Sequence, residues 1–176
     1  PLAADAITVS PYLGYGSLAP ALDAAAASGR GVFVLALTSN PEGASVQHVG
    51  GPEASVARGI VAAARELNER LREPGPEGAG GWELAGPCGL VIGATVGASL
   101  SRLGIDLADF PGPILAPGYG AQGATEEDLA RVFAGTDRRL VVSSSRAILR
   151  HGPEVAALRR EILGTNRRLA AGLAPS

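Results

Sequence analysis

Gly118, Gly120, Gln122 and Gly123 follow a short apolar run that ends at Ala116, and their types and spacing suit the binding of an anion. Glycines spaced in this way leave backbone N–H groups uncovered by side chains, so a phosphate can approach closely. Gln122 adds an amide donor within reach of the same place. Thr125, with Glu126, Glu127 and Asp128 behind it, reads as the cap of a helix that starts at once. A second stretch has the same character: Leu140 to Val142 is strand-like, and Ser143, Ser144, Ser145 and Arg146 supply hydroxyls, backbone donors and a guanidinium. Arginine can grip a phosphate through two parallel hydrogen bonds. Two such strand ends lying side by side would converge on one phosphate.

Ser39 closes an apolar run and can both donate to and accept from the amide edge of a heterocycle. The glycine stretch lacks the Gly-Lys-Ser/Thr ending of a P-loop, and the acidic partner of a dinucleotide fingerprint is not evident. His48 and His151 read as surface residues. No His, Asp or Glu pair has metal-ligand spacing, and no Gly-x-Ser-x-Gly elbow occurs. Every formal positive charge is an arginine, so no lysine in the chain can act as acid, base or Schiff-base former. Cys88, the single cysteine, precedes an apolar strand and reads as a buried structural thiol.

The elements that must position these residues alternate. Strands are expected over 5–10, 31–37, 88–94, 113–116 and 140–142, and helices over 18–28, 55–72, 99–103, 125–134 and 153–171. Ser17 is read as the cap of the first helix and Gly29 as its stop. The continuous apolar run of residues 31–37 marks a parallel strand covered on both faces. Val56, Ile60, Ala63, Ala64, Leu67 and Leu71 form one face of the second helix. Residues 73–86, rich in Pro, Gly and Glu, read as a surface insertion, because the strand–helix rhythm resumes after them. Arg159, Arg160, Arg167 and Arg168 read as a solvated helix face.

This rhythm gives an α/β fold with a parallel sheet, either an open three-layer sheet or a (β/α)8 barrel. The barrel is favoured because phosphate-binding barrels place that site after their last two strands. Five strand–helix units, with a start in mid-pattern, lead to the expectation that three more belong on the N-terminal side. The 176 residues are one domain's worth, or a large piece of one, with 46% hydrophobic residues and a mean hydropathy of +0.19 indicating a buried core. A net charge of −2 gives no reason to expect nucleic acid or an anionic membrane surface. No apolar run approaches a membrane span, so a soluble cytoplasmic protein is expected.

Residues 5–14, 37–43, 91–95, 115–125 and 143–146 together resemble orotidine 5′-phosphate decarboxylase, in the form typical of actinobacteria. The similarity runs in order over essentially the whole chain, from the fourth strand of such a barrel to its eighth helix. The resemblance implies a homodimeric (β/α)8 TIM barrel that converts orotidine 5′-monophosphate to uridine 5′-monophosphate without metal or organic cofactor. It implies that Ser39 contacts the pyrimidine's amide edge, Pro117 lines the base pocket, Gln122 bridges toward the phosphate, and Arg146, with the backbone of Ser145, clamps it, with Gly118 of the glycine loop also expected to bind substrate. The family's Lys and Asp charge array lies near the ends of the second and third strands, so no catalytic residue is expected in this chain. The partner expected is the N-terminal half of the barrel. Two other readings compete: another phosphate-binding TIM-barrel enzyme, and a non-catalytic nucleotide-binding or assembly fragment.

Overall fold

Each short apolar run pairs with the next one along the chain, and every pairing is parallel. A computed structural model describes residues 3–71, 86–136 and 139–173. Within them lie strands β1 (Ala6–Val9), β2 (Gly31–Leu37), β3 (Cys88–Ile92), β4 (Ile114–Pro117) and β5 (Leu140–Ser143), in the sheet order β1-β2-β3-β4-β5. Between and after them run α1 (Ala19–Ala27), α2 (Ala44–Gln47), α3 (Gly51–Ala54), α4 (Val56–Leu71), α5 (Gly97–Arg102), α6 (Glu126–Val132), α7 (Arg146–Leu149) and α8 (Val155–Gly172). Sequential order with parallel pairing is what repeated βα units produce when each crossover has the same hand. The surface insertion expected at residues 73–86 lies, apart from Gly86, outside the described residues.

The register sorts the sheet into two faces. Val34, Leu90, Ile114 and Leu140 lie across from one another in successive strands and face the helices. Leu35, Val91, Leu115 and Val141 form the next row and therefore point to the opposite face. Phe33 belongs to that second face and pairs with Gly89, where a Cβ would come within 2.5 Å of the Phe33 ring. Glycine is required there by the ring and by the Pro113 carbonyl oxygen, 2.8 Å from such a Cβ. At the end of β2 the register slips, Leu35 pairing with Val91 but Leu37 with Ile92. Such an extra residue bends a strand and re-aims the side chains beyond it, here those of Thr38, Ser39 and Asn40.

One polar side chain is wholly buried in the α4–β3 contact. Asn68 donates from Nδ2 to the Cys88 carbonyl at 2.7 Å, and its Oδ1 accepts from the Cys88 N–H at 3.0 Å. The reason lies at the entry to β4. Leu90 donates to the Pro113 carbonyl, so two residues earlier the Cys88 carbonyl faces the nitrogen of Pro113, which carries no hydrogen. The Pro111 carbonyl, the matching acceptor, is taken by the Gly86 N–H. Asn68 supplies both missing partners. Cys88 is fully buried, as expected, and burial pushes its thiol above the ordinary range, with the Tyr15 hydroxyl 3.4 Å from Sγ.

Several local expectations need correction. Ser17 does not cap α1: a 3-10 turn, Tyr15–Leu18, precedes that helix, and Ser17 Oγ donates back to the Gly14 carbonyl. Val56 and Leu71 are exposed, so the apolar face of α4 is carried by Ala57, Ile60, Val61, Ala64 and Leu67. The polar segment after β2 contains two single-turn helices, α2 and α3, and the serine-rich end of β5 leads into α7. Arg168 is not part of a merely solvated face, since it is paired with Glu126 and Glu161. Thr125 does cap α6, in a capping box with Asp128, an arrangement worth about 1 kcal/mol.

Candidate functional site

The C-terminal ends of β2, β3 and β4 open onto a hollow of about 560 Å³ lined by Thr38, Ser39, Asn40, Thr95, Pro117 and Gln122. Its floor depends on Gly93, where a Cβ would lie 3.2 Å from the Ser39 nitrogen and press the ends of β2 and β3 apart. Gly93 and Ala94 prolong the ladder on both sides, donating to the Leu37 and Pro117 carbonyls. On one rim Gln47 holds Thr38 in place, accepting from its N–H at 2.9 Å and donating to its hydroxyl at 2.8 Å. None of the six lining side chains is ionisable. The hollow therefore offers hydroxyls and amides, the groups that match an uncharged heterocycle or a sugar.

Ser39 and Gln122 meet there. Ser39 Oγ donates to Gln122 Oε1 at 3.2 Å, across 83 residues of sequence. Gly118, at φ 111°, takes a conformation that disfavours a side chain, and a Cβ on it would lie 3.2 Å from Gln122 Oε1. Gly120 and Gly123 also have positive φ, and the loop closes on itself through Gly123 N–H to the Gly120 carbonyl and Gly120 N–H to the Ala124 carbonyl.

Pro117 and Ser143 are register partners, so the next loop starts beside this one. The two loops touch: Ser144 Oγ donates to the Tyr119 carbonyl at 3.4 Å, and a Cβ on Gly120 would lie 3.3 Å from that of Ala147. Ser145 and Arg146 stand at the start of α7, exposed and outside the lining of the hollow. Among the described residues no hydrogen bond or ion pair engages the Arg146 guanidinium, which leaves its donors available. The structure thus brings Ser39, Pro117, Gly118 and Gln122 together directly. It brings Ser145 and Arg146 to the adjoining loop. His48 and His151 do not line the hollow.

One group near this loop has no warning in the sequence. Tyr119, between two of the glycines, is buried and donates its hydroxyl to Glu126 Oε1 at 2.6 Å. Burial raises the Tyr119 hydroxyl above its ordinary range, and the bond to Glu126 adds to the shift. That same bond, more than any other contact, holds the Glu126 carboxyl below the usual carboxylate range. A tyrosine inside a glycine loop gives no periodic pattern, and only the acid seven residues on hints at its partner.

Comparison with known proteins agrees over most of the chain. The model of the orotidine 5′-phosphate decarboxylase / HUMPS family matches residues 1–160. An orotidine 5′-phosphate decarboxylase from Streptomyces coelicolor is 53% identical over 161 residues, which cover 90% of this chain and 52% of the relative. One from Salinispora arenicola is 49% identical over 162 residues, again covering 90% and 52%. The chain spans about half the length of the curated relatives it matches. A crystal structure of a protein assigned as orotidine 5′-phosphate decarboxylase from Streptomyces avermitilis superposes with a TM-score of 0.83 at 47% identity, over 99% of this chain and 56% of that one. The UMP synthase of Leishmania donovani superposes with a TM-score of 0.63 at 28% identity, over 98% and 34%. The five-stranded parallel sheet with its helices is thus part of a (β/α)8 barrel.

Proposed function

The chain belongs to the orotidine 5′-phosphate decarboxylase / HUMPS family, and on that premise we propose that it forms the phosphate- and pyrimidine-binding part of an orotidine 5′-phosphate decarboxylase. The complete enzyme would convert orotidine 5′-monophosphate to uridine 5′-monophosphate and carbon dioxide. The observation that carries this reading is the meeting of Ser39 and Gln122 over one uncharged hollow, with the Arg146 loop in contact beside it.

The roles are those the family resemblance implies, and the chemistry of each group suits them. Ser39 exchanges hydrogen bonds with the amide edge of the base, and Pro117 offers it a flat apolar wall. Gly118 keeps that wall open, since any side chain there would crowd Gln122. Gln122 turns its amide from the base end toward the phosphate end. The Ser145 N–H and the Arg146 guanidinium take the phosphate, a pairing stronger than one between neutral groups. Phosphate is remote from the bond that breaks, so binding energy collected there can hold the reacting end in a setting it would otherwise avoid. The lysine that the resemblance assigns to protonation has no counterpart in a sequence without lysine. On its own the chain would therefore bind nucleotide and leave orotidine 5′-monophosphate intact.

The assembly we infer is a homodimer, completed by the rest of the barrel, in the cytoplasm. Large apolar groups at the end of β1 support an interface there, Tyr12 and Leu13 being 81% and 83% exposed. Among the described residues no helix is long and apolar enough to cross a membrane.

A ligand panel tests the reading. Calorimetric titration with uridine 5′-monophosphate, a pentose phosphate and phosphorylated intermediates of histidine and tryptophan synthesis should show the pyrimidine nucleotide binding tightest. Equal affinity across the panel would leave a generic phosphate site and remove the pyrimidine assignment.

A further inference from the structure

We propose that Tyr119, Glu126 and Arg168 act as one positioning chain that holds the glycine loop against α8 in the geometry that phosphate needs. The proposal rests on the functional reading above and adds residues that touch no ligand.

The contacts run in sequence. The Tyr119 hydroxyl donates to Glu126 Oε1 at 2.6 Å, and Arg168 Nε lies 3.5 Å from that same oxygen. Arg168 also donates from its NH2 group to Glu161 Oε1 at 3.0 Å, while Glu161 Oε2 lies 3.9 Å from His151 Nε2. His151 comes two residues after α7, the helix that Arg146 opens. Arg168 thus ties the helix that follows the glycine loop to α8, while Glu161 beside it on α8 reaches toward the segment after α7. Close approach of the helices is built in at Gly172, where a Cβ would lie 2.7 Å from that of Glu126.

The Arg168 ion pair adds little to stability. The Arg168 side chain is 51% exposed and that of Glu126 28%, and ion pairs open to solvent contribute little to folding. The loop it restrains, by contrast, contains Gly118, Gly120 and Gly123, the residues with the most backbone freedom to lose. Anchoring Tyr119, in the middle of that run, removes the freedom before ligand arrives. Preorganisation of this kind raises affinity without a new contact. Replacement of Arg168 by lysine would not reproduce it, because a point charge does not span two carboxylates as a guanidinium does.

The test compares Tyr119→Phe, Arg168→Gln and the double variant, titrated with uridine 5′-monophosphate and with uridine. Tyr119→Phe keeps the buried ring and removes only the hydroxyl, so the fold is retained. The expected result is at least a five-fold loss of affinity for the nucleotide in each single variant, with uridine binding unchanged. The double variant should lose no more than the worse single one, since both break the same chain. Unchanged nucleotide affinity, an equal loss for uridine, or additive losses would each overturn the positioning role while leaving the functional reading in place. Failure of the unaltered chain to bind the nucleotide would instead overturn the functional reading, and this proposal with it.

Discussion

Replacing Asn68 by alanine removes both hydrogen bonds that its amide makes to the Cys88 backbone, at 2.7 and 3.0 Å. Asn68 and Cys88 are each 0% exposed, so water does not take over. A buried polar group left without a partner costs about 1–3 kcal/mol, and the substitution strands one donor and one acceptor. Alanine returns about 0.5 kcal/mol through its better helix propensity. The net loss should be about 1.5–5.5 kcal/mol, a large share of the roughly 5–15 kcal/mol by which a domain is stable. Urea unfolding followed by circular dichroism would read this as a lower midpoint at unchanged slope. A second substitution checks the cause. Pro113→Ala restores an N–H opposite the Cys88 carbonyl, so it should recover about 1 kcal/mol in the Asn68→Ala background. A loss below about 0.5 kcal/mol in the single variant, or no recovery in the double, would refute the idea that Asn68 replaces the hydrogen that Pro113 lacks.

Two further outcomes concern the site. Gly120→Val forces a β-branched side chain to φ 72° and into Ala147; it should cost about 1–3 kcal/mol of stability and weaken nucleotide binding as the two loops separate, read by thermal melts and calorimetry. Glu126 has a folded-state pKa below its unfolded value, so the stability it contributes is present above the unfolded pKa and lost as pH falls through the folded one. Carboxyl titration by NMR should find it below the ordinary glutamate range, and Tyr119→Phe should move it back upward; a carboxyl that does not move would show that the phenol does not hold it.

Much of this was legible in the residues. Each strand announces itself as a short apolar run, and the long helices α4 and α8 as extended amphipathic patterns, so the alternation and the parallel sheet follow from them. Thr125 could be read as a cap because its acid sits three residues on. The single-turn helices α2, α3 and α7 were not legible, since four residues are too few to show a period. The Asn68 lock was missed for a different reason. An asparagine four residues after Ala64 on a buried face looks like an interruption, and its meaning depends on Pro113, just before a strand distant in sequence. Ser39, Gly118 and Gln122 stood out as candidates because glycine spacing and strand ends mark them, and Pro117 through the family resemblance. Tyr119 and Arg168 were not, because a contact between α8 and a loop leaves no local pattern.

The central claim is that the loops after β4 and β5 share one phosphate while the hollow at Ser39 takes the base. Amide NMR during titration with uridine 5′-monophosphate tests it most directly, repeated with inorganic phosphate. Both ligands are expected to shift Gln122, Ser145 and Arg146, and the nucleotide alone to shift Ser39 as well. Shifts confined to one loop, or a phosphate response away from Arg146, would contradict it.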